Sequence, residues 1–323
     1  MSIYIIGSSA IIKKTESAQG IRDEILQSFS FTDEVQYVDF VPARHLRRMS
    51  SILKNSSASS QMALIDSGVE MPDGIIVGTG LGCLQDTENF LKNVWNSNEE
   101  LLSPTNFIQS THNTVAGQIA LILGCTGYNT TYSNRGLSFE KALMDGKLLL
   151  SESGEKKILV GGADEHTASL EKALDDMGCS FEDNKLNEGS VFMLLSSTPN
   201  ENSTEIAGFA TADKLGKLER QFEEILSGSG ISAENIDLVL TGGPDKDFES
   251  FHALIPEGIS FFNFKPITGE FFTASSAGVF LANQILRKQI MPSADSPKPE
   301  KIKNVLVLNH CLNTDYSLYL LRI

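Results

Sequence analysis

The chain has little cysteine, little basic charge and no long apolar run, and each shortage closes off a class of function. Its four cysteines, Cys83, Cys125, Cys179 and Cys311, lie far apart with no C-x-x-C pair. Neither a zinc site nor a disulfide framework is expected from that spacing, and reduced thiols in a cytoplasmic protein are the plain reading. Lys and Arg number 26 against 41 Asp and Glu, a formal net charge of −15. Nucleic acid is therefore not an expected partner, because phosphate binding needs clustered cations. The one dense basic cluster is Arg44, His45, Arg47 and Arg48. The longest apolar runs, such as Leu148–Leu150 and Val305–Leu308, are far too short to span a bilayer. The opening Met-Ser-Ile-Tyr-Ile-Ile-Gly has no basic leader and reads as a strand, not a signal peptide.

What is present is an ordinary globular composition: 323 residues, 41% of them hydrophobic, enough for one large or two ordinary domains. Short apolar runs bounded by Gly, Asn or Asp predict buried strands at Ile3–Ile6, Gly74–Val77, Lys157–Gly161 and Val191–Ser196. A second set follows at Glu205–Ala210, Ile236–Thr241 and a hairpin of Val305–Asn309 with Ser317–Leu321. Helical spacing covers Arg44–Leu64, Asp86–Val94, Thr114–Leu123, Leu137–Ser151, Lys214–Ser227 and Ala274–Arg287. Strands alternating with helices predict a layered α/β fold with mostly parallel pairing. The two strand sets end alike, each in a strand, a turn and a returning strand, which suggests an internal duplication. The polar stretch Ser197–Thr204 is its natural junction, dividing residues 1–204 from 205–323. The Pro-, Ser- and Lys-rich stretch Pro292–Lys303 reads as a loop.

Four segments carry a family likeness. Gly127-Tyr-Asn-Thr-Thr-Tyr-Ser-Asn-Arg-Gly136-Leu-Ser-Phe139 resembles the nucleophile turn of β-ketoacyl synthases, G-P-x-x-x-x-S-T-A-C-A-T/S-G, with Gly136 at the Cys position. Phe264-Lys-Pro-Ile-Thr-Gly-Glu270 and the small residues after it resemble K-S-x-x-G-H-x-x-G-A-A-G. Lys265 and Gly269 match there, and Glu270 stands for the His. Asn235-Ile-Asp-Leu-Val-Leu-Thr-Gly242-Gly resembles the strand and turn that carry the other His, now Gly242. Ser103-Pro-Thr-Asn-Phe-Ile-Gln-Ser-Thr-His-Asn-Thr-Val-Ala-Gly117 resembles the segment that crosses the dimer interface and lines the partner's acyl pocket. Finally, Asn309-His-Cys-Leu-Asn-Thr-Asp315 falls where active synthases carry a Gly-rich turn.

The resemblance implies a thiolase-like five-layer αβαβα fold built from two similar βαβαβαββ halves. It also implies a site without its chemistry: Gly136 offers no nucleophile, and Glu270 would repel the enolate that the family's His stabilises. Within it Arg135 and Glu270 are expected to form an ion pair, since either charge buried alone is costly. Taken as ordinary loop residues, Lys265 and Glu270 would instead be a solvated pair. Phe107, Ile108, Gln109, Thr111 and His112 are the expected acyl-pocket residues, although a structural hydrogen-bonding role is the simpler reading of His112. No metal and no other cofactor is implied.

The likeness is greatest to chain-length factors, the non-catalytic partners of active ketosynthases in type II fatty acid and polyketide systems. The stretches around Gln109 and Gly269 look most like the aryl polyene and flexirubin-type subset. Many chain-length factors carry Gln where this chain has Gly136. The expected partner is an active ketosynthase, or a second copy of the chain, with an acyl carrier protein engaged through that partner. Two other readings stay open: a divergent acyltransferase or decarboxylase using Glu270 or His112, and a homodimeric acyl-binding protein.

Overall fold

Strand pairing repeats itself in the two halves of the chain. The computed structural model describes residues 2–15, 20–96, 104–152, 155–179, 185–293 and 299–323. Ser103 and the middle of the Pro292–Lys303 loop lie outside them. Among these residues eleven strands form: β1 (Ile3–Ile12), β2 (Ser30–Phe31), β3 (Gly74–Gly78), β4 (Tyr128–Tyr132), β5 (Lys157–Asp164), β6 (Gly189–Ser196), β7 (Thr204–Ala212), β8 (Leu238–Gly242), β9 (Ser260–Asn263), β10 (Asn304–Cys311) and β11 (Asp315–Arg322). The sheet order is β4-β3-β5-β6-β1 followed by β7-β11-β10-β8-β9, with β2 a side branch on β1. Counted within each half without β2, and read from the outer end of the sheet inward, both runs go third, second, fourth, fifth, first. In both, the second, third and fourth strands are parallel and the fifth returns antiparallel.

The two runs are joined by a short ladder, Ile3–Ile5 on Thr204–Ile206. Two helices fill the space between them. Ser275–Lys288 packs on β10, β8 and β11 and also on β1 and β6, while Ser138–Glu152 packs on β5, β3 and β4. It reaches β11 through Phe139 and through Glu140, which accepts a 2.7 Å hydrogen bond from the Tyr319 hydroxyl. Ser275 to Leu286 are all buried, as expected of a helix whose small and apolar residues run all the way round. One core cluster draws on both runs and both central helices. Two others lie outside, under Ser51–Ser67 and Thr114–Leu123 on one side and under Leu215–Ser229 on the other. The result is the expected five-layer α/β fold. No helix among the described residues is long and apolar enough to cross a membrane.

Three differences from the sequence reading have plain causes. The helix expected over Arg44–Leu64 is two, Ala43–Leu46 and Ser51–Ser67, because Ser50 takes extended backbone (φ −66°, ψ 172°) and starts the second. Short strands β4 and β9 went unread because they end the sheet and carry no continuous apolar run; the first two residues of β4 are exposed. The helices Pro104–Gln109 and Ala168–Asp176 are too short to declare a period.

Candidate functional site

The three positions in the synthase pattern fall at the ends of elements around the central layer. β4 runs into a single 3-10 turn, Arg135–Leu137, and then into the helix Ser138–Glu152. The Ser138 hydroxyl fixes this turn, accepting from the Asn134 amide and donating to the Arg135 carbonyl, both at 2.7 Å. Arg135 takes the left-handed φ of 48° there, and Gly136 is buried beside it. What Gly136 meets is a matter of space: a Cβ at this position would overlap Cys311 Cβ and stand 3.0 Å from Asp315 Cβ and Oδ2. The Gly136 amide and the Arg135 charge favour ionised Asp315, yet burial outweighs them and raises its pKa.

At the end of β8, a Cβ on Gly242 would overlap Asn309 Oδ1, and one on Gly243 would lie 2.7 Å from His310 Nε2. His310 is held at both nitrogens. Nε2 is 3.0 Å from Asp247 Oδ2 and Nδ1 accepts from the Asn313 amide at 3.4 Å, which places the proton on Nε2. Burial lowers the imidazole's pKa, with Glu270 acting against it and Lys265 adding to it. The Cys311 thiol is pushed well above its usual range, first by burial and next by the Glu270 charge.

Glu270 pairs with Lys265, not with Arg135. Lys265 Nζ is 2.6 Å from Glu270 Oε1, with side-chain exposures of 0% and 5%, so the solvated-pair reading fails. The short helix Lys265–Thr268 turns the chain back to bring the two together. Arg135 is exposed, and no ion pair joins it to Glu270 among the described residues. The Glu270 backbone is pinned as well, its amide on the Lys185 carbonyl at 2.9 Å and its carbonyl taking the Asn187 amide at 2.7 Å.

Asp164, which no sequence motif singles out, is buried close enough to Cys311 for its charge to act on the thiol. Its carboxylate accepts from the amides of Gly80 (2.7 Å) and Thr273 (2.8 Å) and from the hydroxyls of Thr273 (2.7 Å) and Thr79 (3.2 Å). Burial nonetheless lifts its pKa to about 6. His252 is exposed and stacks on Phe261 with ring centroids 3.8 Å apart. Around Gly136 and Gly242, then, the thiol is protonated and buried, the imidazole is engaged at both nitrogens, and the carboxylate is neutralised by a lysine. Among the described residues of this cluster, none is an unengaged nucleophile or base.

Phe107, Ile108, Gln109, Thr111 and His112 lie elsewhere, on the surface at and beyond the helix Pro104–Gln109. Phe107 is 58% and Ile108 64% exposed, and Thr111 and His112 are exposed too. Ile108, Gln109 and Thr111 line an open cavity of about 630 Å3 together with Arg44, His45 and Arg48. The Gln109 side chain donates to the Arg48 carbonyl at 2.8 Å. Phe107 packs on Phe90 with centroids 5.6 Å apart, and the His112 ring faces Gly82. The structure does not bring these five residues to Gly136 or Glu270.

Nearby, strand β4 ends the sheet. The helices packed against it expose Leu121 (77%) on one and Met144 and Leu148 on the other, with Tyr128 exposed on the strand itself.

Solved structures share this fold over the full chain. An ishigamide ketosynthase/chain length factor matches with a TM-score of 0.76 at 18% identity, covering 100% of this chain and 99% of that one. A type II polyketide acyl-carrier protein in complex with its ketosynthase bound to the hexaketide gives 0.76 at 15%, covering 99% of each chain. A ketosynthase in complex with its chain length factor from Xenorhabdus doucetiae gives 0.75 at 16%, covering 100% and 98%. At such identities the likeness establishes the fold. No curated protein matches in sequence. A family model does: that of the β-ketoacyl synthase N-terminal domain, over residues 26–204, more than half of the chain. The chain belongs to the β-ketoacyl synthase family.

Proposed function

We propose that this chain is a catalytically silent member of its family that works as the chain-length-factor-like partner of an active ketosynthase. One observation carries the reading. Position 136 has no side chain, and the nearest thiol, Cys311, is buried and held protonated, so no thiolate stands where an acyl group would be received. Glu270 adds to this, since its carboxylate is already committed to Lys265. We read residues 1–204 and 205–323 as two homologous halves, and only the pairing of the whole chain with a partner would complete a working site.

The surface supports a partner. An unpaired edge strand flanked by exposed Leu121, Tyr128, Met144 and Leu148 is costly in a monomer and suited to sheet-to-sheet association. Phe107 to His112, exposed on the same half, would then face the partner and shape its acyl pocket. The basic cluster at Arg44, His45, Arg47 and Arg48 beside that segment would favour an acidic acyl carrier protein docked across the pair. The similar structures include ketosynthases with chain length factors, and one has an acyl-carrier protein bound, which agrees with a type II system. The aryl polyene or flexirubin-type product class is our proposal from the stretches around Gln109 and Gly269.

The test is co-expression with an intact ketosynthase, followed by size-exclusion chromatography and malonyl-thioester condensation assays on each species. Co-elution, with condensation by the pair and none by this chain alone, is expected. Turnover by this chain alone would overturn the silent reading and direct attention to Glu270 and His112.

A further inference from the structure

The side chains nearest to Gly136, Gly242 and Gly243 come from one place, with Phe264 and Asp247 adding to the crowding at 242 and 243. Asn309, His310 and Cys311 end β10, and Asp315 begins β11. The turn between these strands is tight, with the Thr314 amide on the Cys311 carbonyl at 3.2 Å. Leu312 and Asn313, its central residues, both take left-handed φ, 55° and 54°. L-residues other than Asn seldom adopt that conformation, and Leu has no local hydrogen bond to favour it. Because Cys311 pairs with Asp315, only the three residues Leu312–Thr314 connect the strands, and the ends of β10 and β11 are held side by side.

We propose that this β10–β11 hairpin end is a built-in plug that fills both vacated positions at once and excludes acyl thioesters from this chain's own site. The inference rests on the reading of positions 136 and 242 as the family's catalytic ones. Cys311 occupies the volume that a side chain at 136 would need, and Asp315 lies against the same spot. The Asp315 carboxylate faces the Gly136 amide, the group that would otherwise be free to steady an oxyanion. Asn309 occupies the corresponding volume at 242, and His310, anchored to Asp247, closes the approach at 243. Loss of the nucleophile and closure of the cavity are thus a single packing solution. A cysteine reinstated at 136 would meet Cys311 and Asp315 before it met substrate, and acyl chains handled by the pair would lie wholly in the partner's cavity.

A mutant cycle on the full chain, purified with its partner where it needs one, tests the plug. Gly136→Ala is expected to lower Tm by about 5 °C through overpacking, and adding Cys311→Gly should recover most of that loss. Strictly additive losses would show that the two positions do not compete for space, and would overturn the proposal. The unsubstituted chain supplies a second reading that does not depend on a variant folding. Alkylation of Cys311 by iodoacetamide should be at least ~100-fold slower in the folded than in the denatured chain. Labelling of Cys311 at the free-thiol rate would mean an open pocket and would also overturn it. Condensation by the wild-type chain alone would refute the silent reading and leave the packing result standing, so the two failures are distinguishable.

Discussion

Two regions of this molecule invert what a lone enzyme should show. At the ends of β8 and β10, where a condensing enzyme keeps open space and unengaged reactive groups, the chain is closed and its charges are paired. At the outer edge around β4 and residues 107–121, where a monomer should be polar and capped, it is open and apolar. The interior pairs Lys265 with Glu270 and His310 with Asp247, while the edge leaves apolar side chains exposed. Substitutions in the two regions should therefore fail in different ways.

The largest effect is expected at Lys265. Its ammonium neutralises Glu270 at 2.6 Å in a site from which water is excluded, so Lys265→Ala strands a buried carboxylate. A loss of about 3–5 kcal/mol in stability is expected, read as a lower denaturation midpoint in urea. Replacing both partners with apolar residues, Lys265→Met with Glu270→Leu, should recover most of it, because the pair's attraction only offsets its own desolvation. Equal loss in single and double variants would show that the charges are held apart by other contacts and that the interior is not self-paired as described.

Next comes Leu121→Asp on the open edge. Leu121 is 77% exposed, so the chain's own stability should change by no more than about 0.5 kcal/mol. Its association with a ketosynthase partner should weaken by about 2 kcal/mol, or ~30-fold in Kd, measured by titration of labelled chain. Unchanged affinity would remove this face from the interface and erase half of the comparison.

How far these regions could be read from sequence differs for a physical reason. The antiparallel pairs β5–β6 and β10–β11 and the helix Thr114–Leu123 were legible because buried elements print their burial as uninterrupted or periodic apolar residues. Strand β4 was not, since Tyr-Asn-Thr-Thr-Tyr at an edge has only one buried side to satisfy and leaves no run. The family motifs align Gly136, Gly242 and Glu270 with the Cys and two His positions of the pattern, but what packs against the two glycines is a matter of three-dimensional structure. Asn309, His310, Cys311 and Asp315 meet three glycines, Gly136, Gly242 and Gly243, far away in the chain, and the only hint was four side chains where a Gly-rich turn is expected. The expected Arg135–Glu270 pair failed because a nearer cation exists: Lys265, five residues before Glu270 and returned to it by the turn Lys265–Thr268.

The smallest effect sharpens the interior side of the comparison through pH. Glu165, at the end of β5, accepts from the amides of Gln85 (2.8 Å) and Ile52 (3.5 Å) and from the Ser51 hydroxyl (3.3 Å). Burial, helped by repulsion from Asp86, nevertheless raises its pKa from 4.5 to about 7. A carboxyl whose pKa is higher folded than unfolded binds more protons in the native state between those two values. Its contribution to stability therefore grows as pH falls from about 7 toward 4.5, and is lost as pH rises through the folded value. Surface carboxylates held by cations work in the opposite sense; Glu205, beside Arg322, is one whose pKa is lowered. The clean measurement is consequently the difference between wild type and Glu165→Gln, not the wild-type curve itself. Between pH 7 and pH 6 the wild type should gain about 1 kcal/mol on the variant, followed by denaturant midpoint at each pH. Parallel curves would place Glu165 at an ordinary pKa, with its three donors outweighing burial. The end of β5 would then behave like the solvated edge, and the contrast between a closed interior and an open rim would be confined to the hairpin and the Lys265–Glu270 pair.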